Sequence, residues 1–256
     1  MKLVVIGGVA GGASAAARVR RLDEHADIKI FEKGSAVSYS NCSLPYYLGG
    51  VVRKSESLIM MTPTAFKKKH NIDVFVNNEV IKIDRGAKKV IVNNRLTGEV
   101  FEEGYDKLVL APGAKPVMPQ NIAGIDSSNV FCIRNVDDVV GIKNYLVNNG
   151  FNDVAVVGGG FIGIETAENL KEAGFNVSII EGLDQVLSPF DYDMVQYIHK
   201  ELYDNGIDLY LESNVMAVGE DFVTARGPRG EFKVKADAQM LQLIESISKY
   251  GILNPL

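Results

Sequence analysis

The amino-acid sequence predicts an α/β protein built from two Rossmann-like, three-layer units. The first observation is that an apolar strand, a glycine-rich loop and a helix-forming segment follow one another at the N-terminus and again from Asp153. The second is that each copy is followed, about 20 residues after its last loop glycine, by a glutamate that ends another apolar run. The length of 256 residues suits two domains, each with a core of its own.

The first copy begins with the apolar run Leu3–Ile6, which predicts a short buried strand. The loop after it consists of Gly7, Gly8, Val9, Ala10, Gly11 and Gly12, with Val9 where the general dinucleotide fingerprint has its second glycine. A helix is predicted from near Ala10, and its first N–H groups and dipole suit a pyrophosphate. Glu32 is placed to accept hydrogen bonds from both hydroxyls of an adenosine ribose.

Cys42 lies shortly after this unit and is the best-placed candidate for redox chemistry. Flavin disulfide reductases with a redox pair carry a second cysteine five residues after the first, and that position here is Tyr47. A lone thiol can still cycle as a thiolate, a sulfenic acid or a mixed disulfide with a small thiol. The sequence therefore predicts chemistry at a single cysteine.

The middle of the chain predicts a helix, a small antiparallel meander and a linker. Pro63 and the lysines before His70 predict a helix over Thr62–His70, and alternating residues over Val74–Val92 predict strands that turn at Asn93–Gly98. A further strand over Tyr105–Leu110 leads to the stiff linker Lys115–Pro119. A helix is predicted over Val136–Asn149.

The second copy carries the complete fingerprint. The strand Asp153–Val157 precedes the loop, whose fingerprint glycines are Gly158, Gly160 and Gly163. A helix over Glu165–Gly174 and a strand over Phe175–Ile180 follow, and Glu181 ends the unit. Two such loops in one chain predict two bound dinucleotides. A hairpin is predicted at Gly227–Gly230.

Composition excludes several classes of function. A net charge of −5 without a large basic patch argues against nucleic-acid binding, and no segment is long and apolar enough to span a membrane. Two cysteines make no disulfide framework, so we expect a cytoplasmic protein, and the N-terminal run is too short for a signal peptide. We expect no metal site. Cys132 is predicted to be a buried strand residue, and His25 and His199 are predicted to lie on helix surfaces without a role.

Taken as a set, the motifs resemble one family. They are the Gly7–Gly12 loop with its Val9, the run Asn41-Cys42-x-Leu44-Pro45-Tyr46, Tyr105–Leu108 with Ala111–Ala114, and Gly158–Gly163. From Met1 to about Ala238 the chain resembles the single-cysteine branch of the pyridine nucleotide-disulfide oxidoreductases, which includes coenzyme A disulfide reductases, persulfide reductases and NADH oxidases. The resemblance implies domains over 1–115, for FAD, and 116–238, for NAD.

The resemblance also implies roles for individual residues. FAD would be bound by the first loop together with Glu32, Lys33, Asn41, Val80, Ala111, Pro112, Gly113 and Arg134. The nicotinamide nucleotide would be bound by Gly158, Gly160, Phe161, Ile162, Gly163, Glu165 and Glu181. Phe161 would cover the flavin ring, with plain packing as the alternative, and Glu181 would favour NADH over NADPH. Coenzyme A would contact Ser14, Arg18, Arg21, Ser38 and Asn41, whereas His70 replaces a lysine common in the family. The alternative for Arg18 and Arg21 is a solvated basic helix face.

The implied function is an FAD-dependent oxidoreductase that reduces coenzyme A disulfide or a persulfide through Cys42. Two alternatives stay open: an NADH oxidase that reduces oxygen through a Cys42 sulfenic acid, and a nucleotide-binding fragment without catalysis. The fragment hypothesis arises because residues 239–256 depart from the family. There the family, which is homodimeric, has a buried strand, the rest of the FAD domain and a dimerisation domain. Instead, the spacing of Met240, Leu241, Leu243, Ile244 and Ile247 predicts a short amphipathic helix.

Overall fold

The computed structural model describes residues 1–116 and 118–241, with the backbone of 244–245. The chain divides into two compact units. The first unit comprises Met1–Ser40 and Glu56–Gly113, and the second comprises Asn41–Ser55 and Ala114–Leu256. The predicted domains put residues 41–55 in the first domain, whereas the helix within this segment packs on helices of the second unit.

The elements are numbered in chain order. The helices of the described residues are α1 (Ala10–Leu22), α2 (Leu44–Leu48), α3 (Pro63–His70), α4 (Val136–Asn149), α5 (Phe161–Glu172) and α6 (Tyr192–Asp204). The strands are β1 (Lys2–Ile6), β2 (Asp27–Phe31), β3 (Asp73–Phe75), β4 (Asn78–Asp84), β5 (Lys89–Asn94), β6 (Val100–Gly104), β7 (Lys107–Leu110), β8 (Lys115–Pro116), β9 (Val130–Phe131), β10 (Asp153–Val157), β11 (Asn176–Ile180), β12 (Asp208–Tyr210), β13 (Asn214–Val218), β14 (Phe222–Gly227), β15 (Gly230–Lys235), β16 (Ala238–Leu241) and β17 (Ile244–Glu245).

The first unit has three layers around a parallel sheet of order β3-β2-β1-β7. Successive side chains of β1 point to opposite faces of the sheet. Leu3 and Val5 pack in one cluster with Ala13 and Ala16 of α1, while Val4 packs in another with Val90 of the antiparallel sheet β4-β5-β6. Small residues along α1 let the helix lie close to the sheet, which brings its N-terminus to the carboxyl end of β1.

The second unit repeats this plan with a parallel sheet of order β12-β11-β10-β16-β9. Ala155 of β10 packs with Val223 and Val234 of the antiparallel sheet β13-β14-β15. Helix α4 starts at a capping box, in which Asn135 and Asp138 each accept a backbone N–H of the other, and it ends at Gly150 in the left-handed region. The predicted α/β class with two Rossmann-like units is thus confirmed.

The predicted helix after Ala238 is wrong where the structure describes this segment. Residues Ala238–Leu241 form β16, which runs parallel between β10 and β9. The Met240 and Leu241 side chains are fully buried, and a strand buried on both faces gives a continuous apolar run whose period cannot be distinguished from that of a helix. The backbone of Ile244–Glu245 pairs with β8. The positions of Leu243 and Ile247 lie outside the described residues.

Other predicted elements lie close to their observed bounds. The predicted helix over Val136–Asn149 is α4, and Thr62 caps α3 through its hydroxyl oxygen. Helix α5 begins one turn before the predicted Glu165, because Gly160 is its N-cap. Among the described residues, none of the helices combines the length and the apolar character needed to cross a bilayer.

Candidate functional site

The first glycine loop joins β1 to α1 and requires glycine at two close contacts. Gly7 has a φ of +93°, and a Cβ on it would lie 2.0 Å from the carbonyl oxygen of Ala111. A Cβ on Gly12 would lie 1.8 Å from the carbonyl oxygen of Gly7. The N-cap of α1 is Val9, and among the described residues no side chain caps this end and no acidic residue lies in the first turn. The first N–H groups of α1 are therefore available to an anionic ligand.

The carboxylate of Glu32 holds this loop in place. Its Oε2 accepts from the backbone N–H of Gly8 at 2.8 Å, and its Oε1 accepts from the N–H of Gly34 at 2.8 Å. The carbonyl of Gly8 accepts from the N–H of Ser38 at 2.9 Å, and Cγ1 of Val37 lies 2.7 Å from the position of a Cβ on Gly8. A carboxylate has about four acceptor positions, so Glu32 can still accept from a ribose.

The second glycine loop joins β10 to α5 in the same way. Gly158 has a φ of +103°, and a Cβ on Gly163 would lie 2.0 Å from the carbonyl oxygen of Gly158. Gly160 is the N-cap of α5, and again no described side chain caps this end. Glu181 accepts from the N–H of Gly159 at 2.6 Å through Oε2 and from the N–H of Leu183 at 2.9 Å through Oε1.

The segment 182–191, here called the strap, completes the support of the second loop. The carbonyl of Gly159 accepts from the N–H of Leu187 at 2.8 Å, and Cγ1 of Val186 lies 2.7 Å from the position of a Cβ on Gly159. Leu187 has a φ of +48°, as Ser38 has in the first unit. The middle of each loop is therefore held at its N–H, at its carbonyl and at its Cα.

This repeated support was missed by the sequence prediction. In both units a valine follows the glutamate by five positions, Val37 after Glu32 and Val186 after Glu181. The next residue, Ser38 or Leu187, adopts the left-handed conformation that lets its N–H reach the loop carbonyl. The shared spacing of glutamate and valine is the signal that could have revealed it.

The residues predicted to line the flavin lie in both units. In the first unit the N–H of Ala111 donates to Ile6, Gly113 has a φ of +74°, and Val80 pairs with Val92 beside a bulge in β4. Pro112 lies between Ala111 and Gly113, and the carbonyl of Lys33 accepts from Arg95 at 3.2 Å. In the second unit Arg134 donates from Nε to the carbonyl of Ala114 at 2.8 Å.

The residues predicted to contact coenzyme A lie mainly on α1. Ser14, Arg18 and Arg21 are exposed and follow the spacing of one helix face. The side chains of Arg18 and Arg21 make no hydrogen bond or ion pair within the described part of the chain. Arg20 differs, because it donates to five backbone carbonyls around the end of α1. The guanidinium groups of Arg18 and Arg21 are thus available to a ligand, whereas that of Arg20 holds the backbone around the end of α1.

The Cys42 segment belongs to the second unit. Residues Asn41–Ser43 form one 3₁₀ turn before α2, and the side chains of Asn41 and Cys42 are exposed. Tyr47, at the position of a second redox cysteine, is buried, and Lys143 of α4 donates to its carbonyl at 2.8 Å and lies 4.5 Å from its ring centroid. Tyr47 therefore anchors α2 to α4.

The nicotinamide-side residues lie at the start of α5. Phe161 is 55% exposed and packs edge to face against Phe190, with 5.8 Å between ring centroids, so plain core packing does not describe it. Ile162 and Glu165 are half-buried on the first turns of the same helix.

The predictions for two other residues are wrong. His199 is not on a helix surface but buried, and its Nε2 accepts from the N–H of Val186 at 3.3 Å. Cys132 follows the end of β9 and is half-buried; its Sγ lies 3.6 Å from Sδ of Met118. Burial and the nearby charge of Asp138 raise the pKa of Cys132 to about 11. His25 is exposed as predicted, but it lies in a turn after the end of α1 and not on a helix. The carbonyl of His70 accepts from Arg20.

Comparisons with known proteins agree with this geometry. A family model described as pyridine nucleotide-disulphide oxidoreductase matches residues 1–240. The coenzyme A disulfide reductase of Staphylococcus haemolyticus is 39% identical over 223 residues, which cover 87% of this chain and 50% of that protein. The chain thus spans about half the length of the curated relatives it matches.

Solved structures give the same result. The crystal structure of reduced CoADR-RHD of Bacillus anthracis is 39% identical, with a TM-score of 0.92 over 98% of this chain and 45% of that chain. The NAD-dependent persulfide reductase of A. fulgidus is 33% identical, with a TM-score of 0.90 over 98% of this chain and 47% of that chain. The resemblance stated from the motifs is confirmed. Among the described residues, no group of three histidine, cysteine or acidic side chains could hold a metal ion.

Proposed function

Because the chain belongs to the pyridine nucleotide-disulphide oxidoreductase family, we propose that it passes reducing equivalents from NADH, through FAD, to a small disulfide or persulfide at Cys42. Members of this family bind FAD and NAD(P)H. The observation that carries the proposal is the exposed Cys42 thiol, whose fifth following residue is the buried Tyr47. That arrangement supports chemistry at one cysteine with an external sulfur partner.

FAD would be held by the first loop, with its pyrophosphate at the start of α1 and its ribose at Glu32. The loop and the start of α1 fit a pyrophosphate, because glycine leaves room for its close approach and the uncapped N–H groups favour an anion. When bound, FAD accepts hydride from the nicotinamide and delivers two electrons to sulfur. Lys33, Val80 and the run 111–113 would supply further contacts from the same unit. Arg134 and Asn41 are further proposed FAD contacts, by resemblance to the family.

In the proposed reaction, the residue of the chain that reacts with the substrate is Cys42. The Cys42 thiolate attacks one sulfur of the disulfide, which forms a Cys42 mixed disulfide and releases the other half as a thiolate. Two electrons then cleave the mixed disulfide, so that the second thiol is released and the Cys42 thiolate is regenerated. The sum is oxidation of one NADH, uptake of one proton and reduction of one disulfide to two thiols. A persulfide substrate would transfer its terminal sulfur to Cys42 and release it as sulfide after the same reduction.

NADH is preferred over NADPH in this proposal because of Glu181. Glu181 directly follows β11, and the ribose of a dinucleotide on the second loop would lie at its carboxylate. A negative charge there accepts from a 2′-hydroxyl and repels a 2′-phosphate. Gly158, Gly160, Ile162 and Gly163 would surround the pyrophosphate, and Phe161 and Glu165 would lie toward the nicotinamide.

The disulfide that we propose as the substrate is coenzyme A disulfide. Arg18 and Arg21 offer two guanidinium groups one helical turn apart, neither of them paired with a described residue, and the Ser14 hydroxyl lies on the same face. Guanidinium groups match the phosphates of such a ligand in charge and geometry. Ser38 and Asn41 are the remaining proposed contacts.

Substitution of each cysteine tests the proposal. Cys42→Ser should abolish reduction of coenzyme A disulfide, while reduction of added FAD by NADH persists, because hydride transfer does not need the thiol. Cys132→Ser is the matched control and should retain the parental rate. Stopped-flow absorbance at the flavin band and a thiol assay measure the two half-reactions. A Cys42→Ser variant with parental disulfide reduction would show that another group carries the chemistry.

The exposed single thiol also favours a second candidate, an NADH oxidase. There Cys42 would cycle through a sulfenic acid as oxygen is reduced. NADH consumption under air without a disulfide, lost in Cys42→Ser, would support it. Nucleotide binding without either turnover would instead support the non-catalytic alternative.

A further inference from the structure

The second glycine loop is supported, through the strap, by the titratable side chain of His199. His199 of α6 is 7% exposed and lies on the helix face that also buries Val195 and Leu202. Its Nε2 accepts a hydrogen bond of 3.3 Å from the backbone N–H of Val186 in the strap. A neutral imidazole has one acceptor nitrogen, which this bond uses.

Val186 and the residue after it form two of the contacts that hold the middle of the loop. The side chain of Val186 packs on the Cα of Gly159, and the N–H of Leu187 donates to the Gly159 carbonyl at 2.8 Å. Leu187 has a φ of +48°, which costs on the order of 1 kcal/mol for a residue other than glycine. The strap therefore keeps this shape only while its neighbours hold it, and His199 is the side chain that fixes its backbone at Val186.

Protonation would remove this bond, because both ring nitrogens of an imidazolium are donors. Burial lowers the pKa of His199, so the neutral form is favoured in the folded chain. The elements around it carry charged residues: Asp184 and Asp191 in the strap, Asp193, Lys200, Glu201 and Asp204 on α6, Glu165, Glu168, Lys171 and Glu172 on α5, and Asp208 on β12. Burial is the cause of the lowered pKa of His199.

We propose that His199 is a positioning residue for the second glycine loop: in its neutral form it holds the strap against Gly159, and its protonation releases the strap and weakens dinucleotide binding. This inference rests on the proposed function in one respect, namely that the second loop binds a dinucleotide. It adds a pH-dependent control of that binding by a residue that does not touch the ligand.

The test compares three variants of the full chain. His199→Leu removes the acceptor, His199→Gln keeps an acceptor oxygen that does not titrate, and the exposed His25→Gln is the matched control. ADP-ribose is titrated by calorimetry from pH 5.0 to 8.0, with excess FAD present to occupy the first loop. Amide exchange of Gly159 and Leu187, without nucleotide, gives a second readout.

The parent and His25→Gln should lose up to about tenfold in affinity as the pH falls from 7.5 to 5.0, a usual size for coupling between two sites. The loss should set in below the ordinary imidazole value of 6.5, because burial lowers the pKa of His199. His199→Gln should bind nearly as tightly as the parent at pH 7.5 and show little dependence on pH. His199→Leu should bind about tenfold more weakly at pH 7.5 and show faster exchange at both amides. If His199→Leu does not fold, the comparison of His199→Gln with the parent decides.

Three results separate the possible failures. Equal pH dependence in His199→Gln and the parent overturns the role of His199, as does parental affinity with parental exchange in His199→Leu. If ADP-ribose binds none of the chains at any pH, the proposed function of the second loop fails. In that case the exchange data still decide whether His199 holds the strap.

Discussion

The Glu181 carboxylate accepts a hydrogen bond of 2.6 Å from the backbone N–H of Gly159, so the residue predicted to select the ribose also holds the loop that would bind the pyrophosphate. Glu32 and Gly8 have the same relationship in the first unit. A substitution at either glutamate therefore changes two properties, the shape of the loop and the charge beside the ribose. These can be separated by the choice of replacement.

Glu181→Gln removes the charge but keeps an acceptor oxygen for Gly159. We expect it to narrow the preference for NADH by raising the affinity for NADPH, because a 2′-phosphate no longer meets a carboxylate. Glu181→Ala also loses both backbone hydrogen bonds, each worth about 1.5–3 kcal/mol for a charged acceptor, and should bind both nucleotides more weakly than Glu181→Gln. Fluorescence titration with each nucleotide measures this.

Glu32→Gln is the control for these variants, because it makes the same chemical change in the other loop. It should leave the ratio of the two affinities as in the parent. Equal affinity of the unmutated chain for NADH and NADPH would contradict the assignment of Glu181.

The loop glycines have different functions, which substitution by alanine should separate. Gly163→Ala would place a Cβ 2.0 Å from the carbonyl oxygen of Gly158, so we expect a loss of about 3 kcal/mol in the free energy of unfolding of the second unit. At Gly160 a Cβ would meet no atom within 4 Å, so Gly160→Ala should change that free energy by less than about 0.5 kcal/mol. Urea unfolding measures both.

Gly160→Ala should nevertheless weaken binding of ADP-ribose, because the added methyl group would lie where the pyrophosphate approaches the backbone. Calorimetric titration of the folded variant tests this. Parental affinity in Gly160→Ala would argue that the ligand approaches elsewhere.

Stability should depend on pH through Glu103, which ties β6 to the parallel sheet of the first unit. Its carboxylate pairs with Lys2 of β1 and with Lys29 of β2, the latter at 2.9 Å. Burial acts to raise the pKa of Glu103, but the two lysines outweigh it and hold the pKa below the usual value. A lowered carboxyl pKa stabilises the folded state above the unfolded value of 4.5, and this contribution is lost as the pH falls through the folded pKa.

Glu103→Gln should therefore lower the free energy of unfolding at pH 7 by about 1–2 kcal/mol, discounted for partial exposure of the lysines. The difference from the parent should shrink below about pH 4, near the pKa of a free carboxyl. Glu102→Gln is the control, because its pair with Lys89 is exposed to solvent and should contribute less to stability than the pairs of Glu103. Urea unfolding at pH 7 and pH 3.5 measures the free energy of unfolding of both variants. Equal losses in Glu103→Gln and Glu102→Gln would contradict this role of Glu103.

The sequence predicted the centre of both parallel sheets because each of the strands β1, β2, β10 and β11 comes directly before a glycine loop or a glutamate. It failed at β16, since four consecutive buried residues carry no periodicity that distinguishes a central strand from a helix. It also failed at His199, which occupies a core position of α6 although its side chain is polar. Hydropathy places such a residue at the surface, and only the neighbouring Val186 N–H explains its burial.

The sequence predicted the glycine loops of the candidate site because the turn of the chain itself requires glycine there, while the ligand contacts stay predictions. Gly7 and Gly12 are fixed by close contacts with backbone oxygens, and those contacts require glycine whatever the ligand. Val37 and Val186 were missed because a buried valine after a strand resembles any core residue. Their function appears only when the loop and the segment after the glutamate are seen in contact.

The two cysteines should differ sharply in reactivity. Cys42 is exposed, whereas burial and the Asp138 charge raise the pKa of Cys132 to about 11. At pH 8 only about one Cys132 in a thousand would be a thiolate, the reactive form. Iodoacetamide should therefore modify Cys42 at pH 8 and leave Cys132 unmodified, with the Cys132 rate rising about tenfold per pH unit toward pH 11. Mass spectrometry of the two peptides measures this, and labelling in urea, where both thiols are exposed, is the control. Rapid labelling of Cys132 in the folded chain at pH 8 would contradict its shielded environment.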